Sequence, residues 1–510
     1  MKRIAVINVV GLTESLIGPH TPRIARFLET GAKANIVPAF PAVTCTAQSN
    51  YLTGRLPADH GIVGNGWYHR ELAEVQFWKQ SNHVVHGRKI WDDLRALDPD
   101  FTCAKLFWWY NMYSNADYSI TPRPMYPADG RKVFDIYTWP FAIRTEIKNE
   151  IGDFPFPCFW GPAAGVDTPQ GAADAASRWI AESAKWIENK YKPTLSLVYL
   201  PHLDYNLQRH GPATEPTSGR PMNVPLSRPS GTLSPAEGER DGVRGPLGSS
   251  GGVTNPAIQR DLQQIDRIVG DLIAFLQSRS VRVLLLSEYG INNVDTPIHL
   301  NRLLRKKGWI TVKEELGLEI LDCGASKAFA VADHQIAHIY LNDRSLERPV
   351  VELLETTPGV AGVMGPAEIT EMGLNHARAG DLVAVAAEHA WFTYYYWLDD
   401  RVAPDFARCV DIHRKPGYDP VELFLDPRIP AVKLKILWRL LQKKLGFRML
   451  MDVIPLDATL VNGSHGCRPA HISEWPVLIT DQPSILAKPE IDSTQVYRIM
   501  RELVASTGQT

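Results

Sequence analysis

The chain has 510 residues, 45% of them hydrophobic and 22% charged, with a formal net charge of −2. It is long enough for one large core with insertions, or for about two to four domain-sized units, and its near-neutrality gives no basic footprint for nucleic acid or an anionic membrane. The six cysteines form no CxxC pair, which argues against a cysteine-rich zinc module and fits free thiols in a reducing compartment.

Short apolar runs recur along the chain. "RIAVINVV" (3–10), "NIVPAF" (35–40), "TCAKLFWW" (102–109), "LSLVYLP" (195–201) and "VRVLLLS" (281–287) have the composition of buried parallel strands. The first follows Lys2 and Arg3 but lacks a small-residue cleavage site, so a strand is expected there rather than a secretory leader. No run approaches the ~18 apolar residues of a membrane span. A soluble, cytoplasmic protein is expected. Between the strands, 172–191 and 256–279 carry apolar residues at helical spacing, the latter with Pro256 near its start. Alternation of this kind predicts an open, largely parallel α/β sheet flanked by helices.

Residues 212–255 are dominated by Pro, Gly and Ser and contain no aromatic residue. They read as a surface insertion, solvated or acting as a lid. "AFAVADHQIAHIYLND" and "EHAWFTYYYWLDD" read as strands in a region, 310–460, that forms a cap or subdomain insertion or continues the sheet. "AVKLKILWRLLQKKLG" (431–446) reads as a basic amphipathic helix. A packed surface helix with lysines outward is expected, rather than a membrane-surface one. One domain over 1–510 is expected, with no nucleic-acid or membrane partner.

The stretch "PAVTCTAQSNYLTGRLPADHGIVGN" (41–65) places Thr44 where an apolar strand runs into a helix. Free N–H groups and the helix dipole favour an anion there, and threonine is also an ordinary N-cap, so position alone leaves both roles open. The whole stretch resembles the nucleophile region of the alkaline phosphatase superfamily, nearest its type I phosphodiesterase/nucleotide pyrophosphatase branch, with phosphonoacetate hydrolases as relatives. Pro41 to Thr44, Thr53-Gly54 and Pro57 to Asn65 carry that resemblance. It implies an alkaline-phosphatase-like α/β fold, Thr44 as a nucleophile forming a phospho-threonine, and Asn65 as donor to a phosphoryl oxygen. Cys45 lies one residue too close to Gly54 for the modified cysteine of sulfatases and is expected to be a buried helix residue.

The branch holds two zinc ions about 4 Å apart, and the resemblance allows each expected ligand to be checked. The Asp-Gly that ends the first strand is here Val10-Gly11. "HLDYNLQRHGP" (202–212) keeps Asp204 but has Gln208 where a histidine is expected, with His210 two residues beyond as a substitute. "LLLSEYGI" offers Glu288 and Tyr289 in place of Asp-His. "NGSHGCRP" keeps His465. The implied ligand set is therefore Asp204, His210, Glu288 and His465, with zinc as the first expectation and manganese or magnesium favoured by harder ligands. "ADHQIAH", with Asp333, His334 and His338, and "VDIHRKPGYDP", with Asp411, His413 and Asp419, are further candidates; in a strand, His334 and His338 would share a face opposite Asp333. Trp108, Trp109, Tyr110 and Tyr126 are candidates for an apolar leaving-group pocket, and Arg123 and Arg131 for phosphate contacts. The expectation is a metal-dependent hydrolase of a small phosphoester, phosphodiester or phosphonate. The alternative is a non-hydrolytic member that binds a phosphorylated metabolite, favoured by Val10, Gln208 and Tyr289.

Overall fold

The computed structural model describes residues 1–128, 132–214 and 254–505. Most of the insertion at 212–255, and Arg131, therefore lie outside the described residues. The five apolar runs all enter one nine-stranded sheet, in the spatial order Glu490–Asp492, Ala32–Val37, Val477–Thr480, Arg282–Leu286, Ile4–Val9, Leu195–Leu200, Cys103–Leu106, Tyr118–Pro122, Ile136–Trp139. Its middle is parallel: Ile4 lies opposite both Leu195 and Arg282. Antiparallel pairing is confined to Val477–Thr480 and the Ile136–Trp139 edge. Every residue of Ile4–Val9 and of Leu195–Leu200 is buried, which explains continuous apolar runs instead of alternation. The strand at the 35–40 run is Ala32–Val37; it stops before the run ends because Pro38 has no N–H to give to a ladder.

Helices Ala175–Tyr191 and Gln259–Gln277 pack on each other and on the sheet, and Gln495–Ala505 packs on Thr44–Thr53. Within 310–460, Ala328–Asp333, Ile336–Leu341, Leu382–Ala386 and Val360–Met364 form a separate antiparallel sheet with its own apolar core. The aromatic run after His389 is not the long strand its composition predicts. Only Ala390–Phe392 pairs, with Thr296–Ile298, and Tyr394 to Trp397 bury their rings in a further cluster.

The strand ends that matter face one opening. Parallel sheets place ligands beyond the carboxyl ends of their strands, and here Leu200 leads into helix His202–His210, Leu286 into Glu288 and Tyr289, and Leu106 into Trp109. No helix among the described residues is long and apolar enough to cross a membrane.

Candidate active site

Thr44 is the first residue of helix Thr44–Thr53, with Val43 as N-cap. Its hydroxyl lies 3.1 Å from the Tyr289 hydroxyl. Tyr289 in turn donates to Asp204 Oδ1 at 3.3 Å. All ten residues of the helix are buried, and Gly54 closes it in the left-handed region at φ 66°, where glycine carries no steric cost. Thr44 stands on the floor of a cavity of about 810 Å³ walled by Trp78, Trp109, Tyr126, Phe159, Trp160 and Tyr205. Arg123 and His413 also line it, whereas Trp108 and Tyr110 are core residues.

Asn65 accepts from the Cys45 N–H at 3.0 Å through Oδ1. Its own backbone N–H and Nδ2 both donate to Asp333, at 2.7 and 3.0 Å. Gly64 admits that carboxyl: a Cβ there would stand 3.0 Å from Asp333 Oδ2.

Asp204 and Gln208 are one helical turn apart, and Gln208 Nε2 donates to Asp204 Oδ2 at 2.9 Å. His210, two residues further round, is exposed at the helix end and is absent from the cavity wall. About 200° of helical rotation past Gln208 carries it away from Asp204, so it does not substitute for the missing histidine. Glu288 accepts from Asn8 and Gln48 at 2.5 and 2.6 Å through Oε1. Its Oε2 has no hydrogen bond, although the nearby Thr44 hydroxyl favours the ionised form. Burial pushes Glu288 up to about 8 and Asp204 and Asp333 up to about 7.

His465 gives Nδ1 to the Ala42 carbonyl at 2.8 Å, and burial lowers it to about 3. Its ring belongs to a ladder. Tyr289 stacks on His465 and His334 on Tyr418, and His465 meets His334 at a 35° tilt, with 3.6 Å between centroids at each step. Tyr418 then donates to Gln208 Oε1 at 2.7 Å, which closes a ring of contacts back to Asp204. The sequence does not show this ladder, because its members come from four distant segments. His334 does not share a strand face with His338: it sits in the turn after Asp333 with φ 62°, and His338 is held by Val63 and Gly380. In the other cluster Asp419 is 2.7 Å from buried Lys415, which also meets Glu422 at 2.7 Å.

Among the described residues no three His, Cys, Asp or Glu side chains are grouped to hold a metal ion. The expected set of Asp204, His210, Glu288 and His465 is not assembled. The Tyr289 hydroxyl lies between Thr44 and Asp204, His465 presents ring faces to two other rings, and His210 is elsewhere. These residues, as arranged, do not fit a two-ion centre.

The site is that of an α/β protein with a hydroxyl nucleophile candidate at the mouth of a mostly parallel sheet. Solved structures share the fold. Murine ectonucleotide pyrophosphatase/phosphodiesterase 5 is 14% identical over 100% of this chain and 96% of its own, with a TM-score of 0.52. An inactive form of it in complex with AMP gives 0.53 at 14% identity, over the same 100% and 96%. Phosphonoacetate hydrolase from Sinorhizobium meliloti 1021, in complex with phosphonoformate, is 13% identical over 99% of this chain and 96% of its own, with a TM-score of 0.54. Among curated proteins no sequence matches. The fold is thus alkaline-phosphatase-like. The chain belongs to the type I phosphodiesterase/nucleotide pyrophosphatase family, whose model matches residues 4–419. That is a family of hydrolases that generally work with a divalent metal.

Proposed function

We propose that this chain hydrolyses a small phosphoester, phosphodiester or phosphonate with Thr44 as its nucleophile. One observation carries the reading: the Thr44 hydroxyl, on the cavity floor, is one hydrogen bond from Tyr289 and two from Asp204. A threonine hydroxyl needs a base to become nucleophilic. In this arrangement Tyr289 takes the Thr44 proton as it passes its own to Asp204. The Thr44 oxygen forms a bond to phosphorus as the bond to the leaving group breaks, and the departing oxygen, in line on the far side of phosphorus, takes its proton from solvent. Asn65 Nδ2 has a second N–H beyond the one given to Asp333, which suits a phosphoryl oxygen. Water then adds to phosphorus and loses a proton to solvent, and the bond from phosphorus to the Thr44 oxygen breaks as Asp204 returns its proton to that oxygen through Tyr289. The aromatic walls suit a leaving group with an apolar or ring-shaped body.

The resemblance pointed to zinc first, then manganese or magnesium. The donor set does not fit two ions, so no step is assigned to a cation, and cation dependence belongs to the test. A second reading, binding of a phosphorylated metabolite without turnover, is favoured by the Tyr289–His465 stack where the family expects ligands.

The test is turnover of p-nitrophenyl phosphate, bis-p-nitrophenyl phosphate and p-nitrophenyl phenylphosphonate, with chelator and with each of the three cations. Mass spectrometry of the quenched enzyme should find phosphate on Thr44, and Thr44→Ala should abolish both label and turnover. Turnover that survives Thr44→Ala overturns the nucleophile assignment. Phosphonate binding by calorimetry, with no turnover under any condition, establishes the second reading.

A further inference from the structure

The cavity's outer edge is built by helix Val432–Lys444 and the residues after it; Ile436, Leu440, Lys443 and Lys444 line it, with Leu440 still 41% exposed. The rest of the helix is unusual. None of its residues is buried, and Leu434, Leu437, Trp438, Leu441 and Leu445 are 66%, 63%, 57%, 44% and 63% exposed. Their spacing, i, i+3, i+4, i+7 and i+11, makes a single stripe about 100° wide. The apolar stripe therefore faces outward, the reverse of the expected packed helix with lysines outward. Phe447 at 65%, Leu450 at 41%, Phe134 at 43% and Tyr126 at 56% are also exposed, and all four line the cavity.

Charge selects the occupant. The helix sequence VKLKILWRLLQKK contains five Lys or Arg and no Asp or Glu. Lys435 and Arg439, on one flank of the stripe, reach Asp452 at 2.8 and 3.1 Å. Lys433 and Lys444 lie on the other flank, Lys444 also lining the cavity, and neither makes an ion pair among the described residues. An apolar stripe edged by cations on both sides matches a surface that is apolar below and anionic above. A second copy packed stripe to stripe would bring two all-cationic helices together.

We propose that helix Val432–Lys444 docks the protein on an anionic lipid bilayer, with its leucines and Trp438 in the acyl boundary and its lysines among the headgroups. The helix lies in the interface and does not span it. Docked in this way, the apolar cavity mouth opens against the membrane.

Cosedimentation of the full chain with phosphatidylcholine vesicles, with and without phosphatidylglycerol, tests this without reference to the chemistry at Thr44. Binding is expected only with phosphatidylglycerol present and should weaken as salt rises. The double variant Leu437→Glu, Trp438→Glu should lower the partition coefficient about tenfold or more, and Lys433→Glu, Lys444→Glu should lower it about tenfold through charge alone. An unchanged thermal midpoint confirms that both variants are folded. Failure to bind either vesicle, or binding that both variants leave unchanged, overturns the proposal. So does a solution dimer, seen by light scattering, that the Leu437→Glu, Trp438→Glu variant dissolves, since it would give the stripe to a second copy.

Discussion

Two helices bound the same cavity, and they obey opposite rules. Thr44–Thr53 forms the floor with all ten residues buried, while Val432–Lys444 forms the outer edge with none. The floor helix is mixed in polarity, yet its polar groups are spoken for: Gln48 on Glu288 and on the Trp109 N–H, Tyr51 on the Ser287 carbonyl, Asn65 on the Cys45 N–H. The outer helix is strongly apolar on a face that none of the described residues covers. Polarity alone therefore does not tell which helix is inside. What decides is whether partners arrive from elsewhere in the chain, because a buried polar group is tolerated when bonded and costly when not.

The sharpest break in the comparison comes from the floor. Thr44→Ala should lower phosphoester turnover by about 10³-fold or more, with little change in unfolding midpoint, since the N-cap is Val43 and the Thr44 hydroxyl bonds to Tyr289 across the cavity floor. Steady-state kinetics beside a thermal melt checks both halves. A large loss of stability would mean that Thr44 holds the helix more than it serves chemistry.

Stability separates the two helices next. Tyr51→Ala removes a fully buried ring and its bond to the Ser287 carbonyl, at a cost of about 3–5 kcal/mol. Trp438→Ala removes a larger ring that is 57% exposed and should move stability by no more than about 0.5 kcal/mol. Urea denaturation of both variants measures the contrast. Equal losses would show that the outer helix has a partner in solution.

Tyr289→Phe tests the link between nucleophile and carboxylate. It keeps the ring stacked on His465 and deletes the hydroxyl between Thr44 and Asp204. A fall in kcat of about 10²-fold with KM little changed is the expected result. Unchanged kcat would leave Glu288, whose ionised form the Thr44 hydroxyl favours, as the group that takes the proton.

The sequence disclosed the two regions unequally. The central strands were legible because buried parallel strands are apolar throughout, and Thr44 was legible at a strand-to-helix junction followed by Thr53-Gly54. The substitutions Val10, Gln208 and Tyr289 were visible too. What filled the space was not: the ladder Tyr289, His465, His334, Tyr418 assembles from segments far apart, and His334 reached it only because a tight turn replaced the strand its neighbours suggested. The helix at 431–446 was legible as amphipathic, but a helical wheel does not say which face finds a partner. The lysines were expected outward, and the leucines are.

A buried lysine gives the finest probe of the floor. Lys105 lies on the strand beneath it, fully buried, with Nζ donating to the Tyr110 carbonyl at 2.8 Å. Burial lowers it from 10.5 to about 7. The unfolded chain therefore binds one more proton than the folded chain between those values, and stability should rise with pH across that window, by at most about 1.4 kcal/mol per unit. Lys105→Met removes the titration without stranding the carbonyl, which also accepts from Asn82 Nδ2 at 2.8 Å. The variant should be more stable than the wild type near pH 7, and the gap should close as pH rises toward 10. Chemical denaturation at a series of pH values reads this directly. A gap that stays constant with pH would show that water reaches Lys105, and that the floor is less sealed than its burial implies, narrowing its contrast with the open helix above.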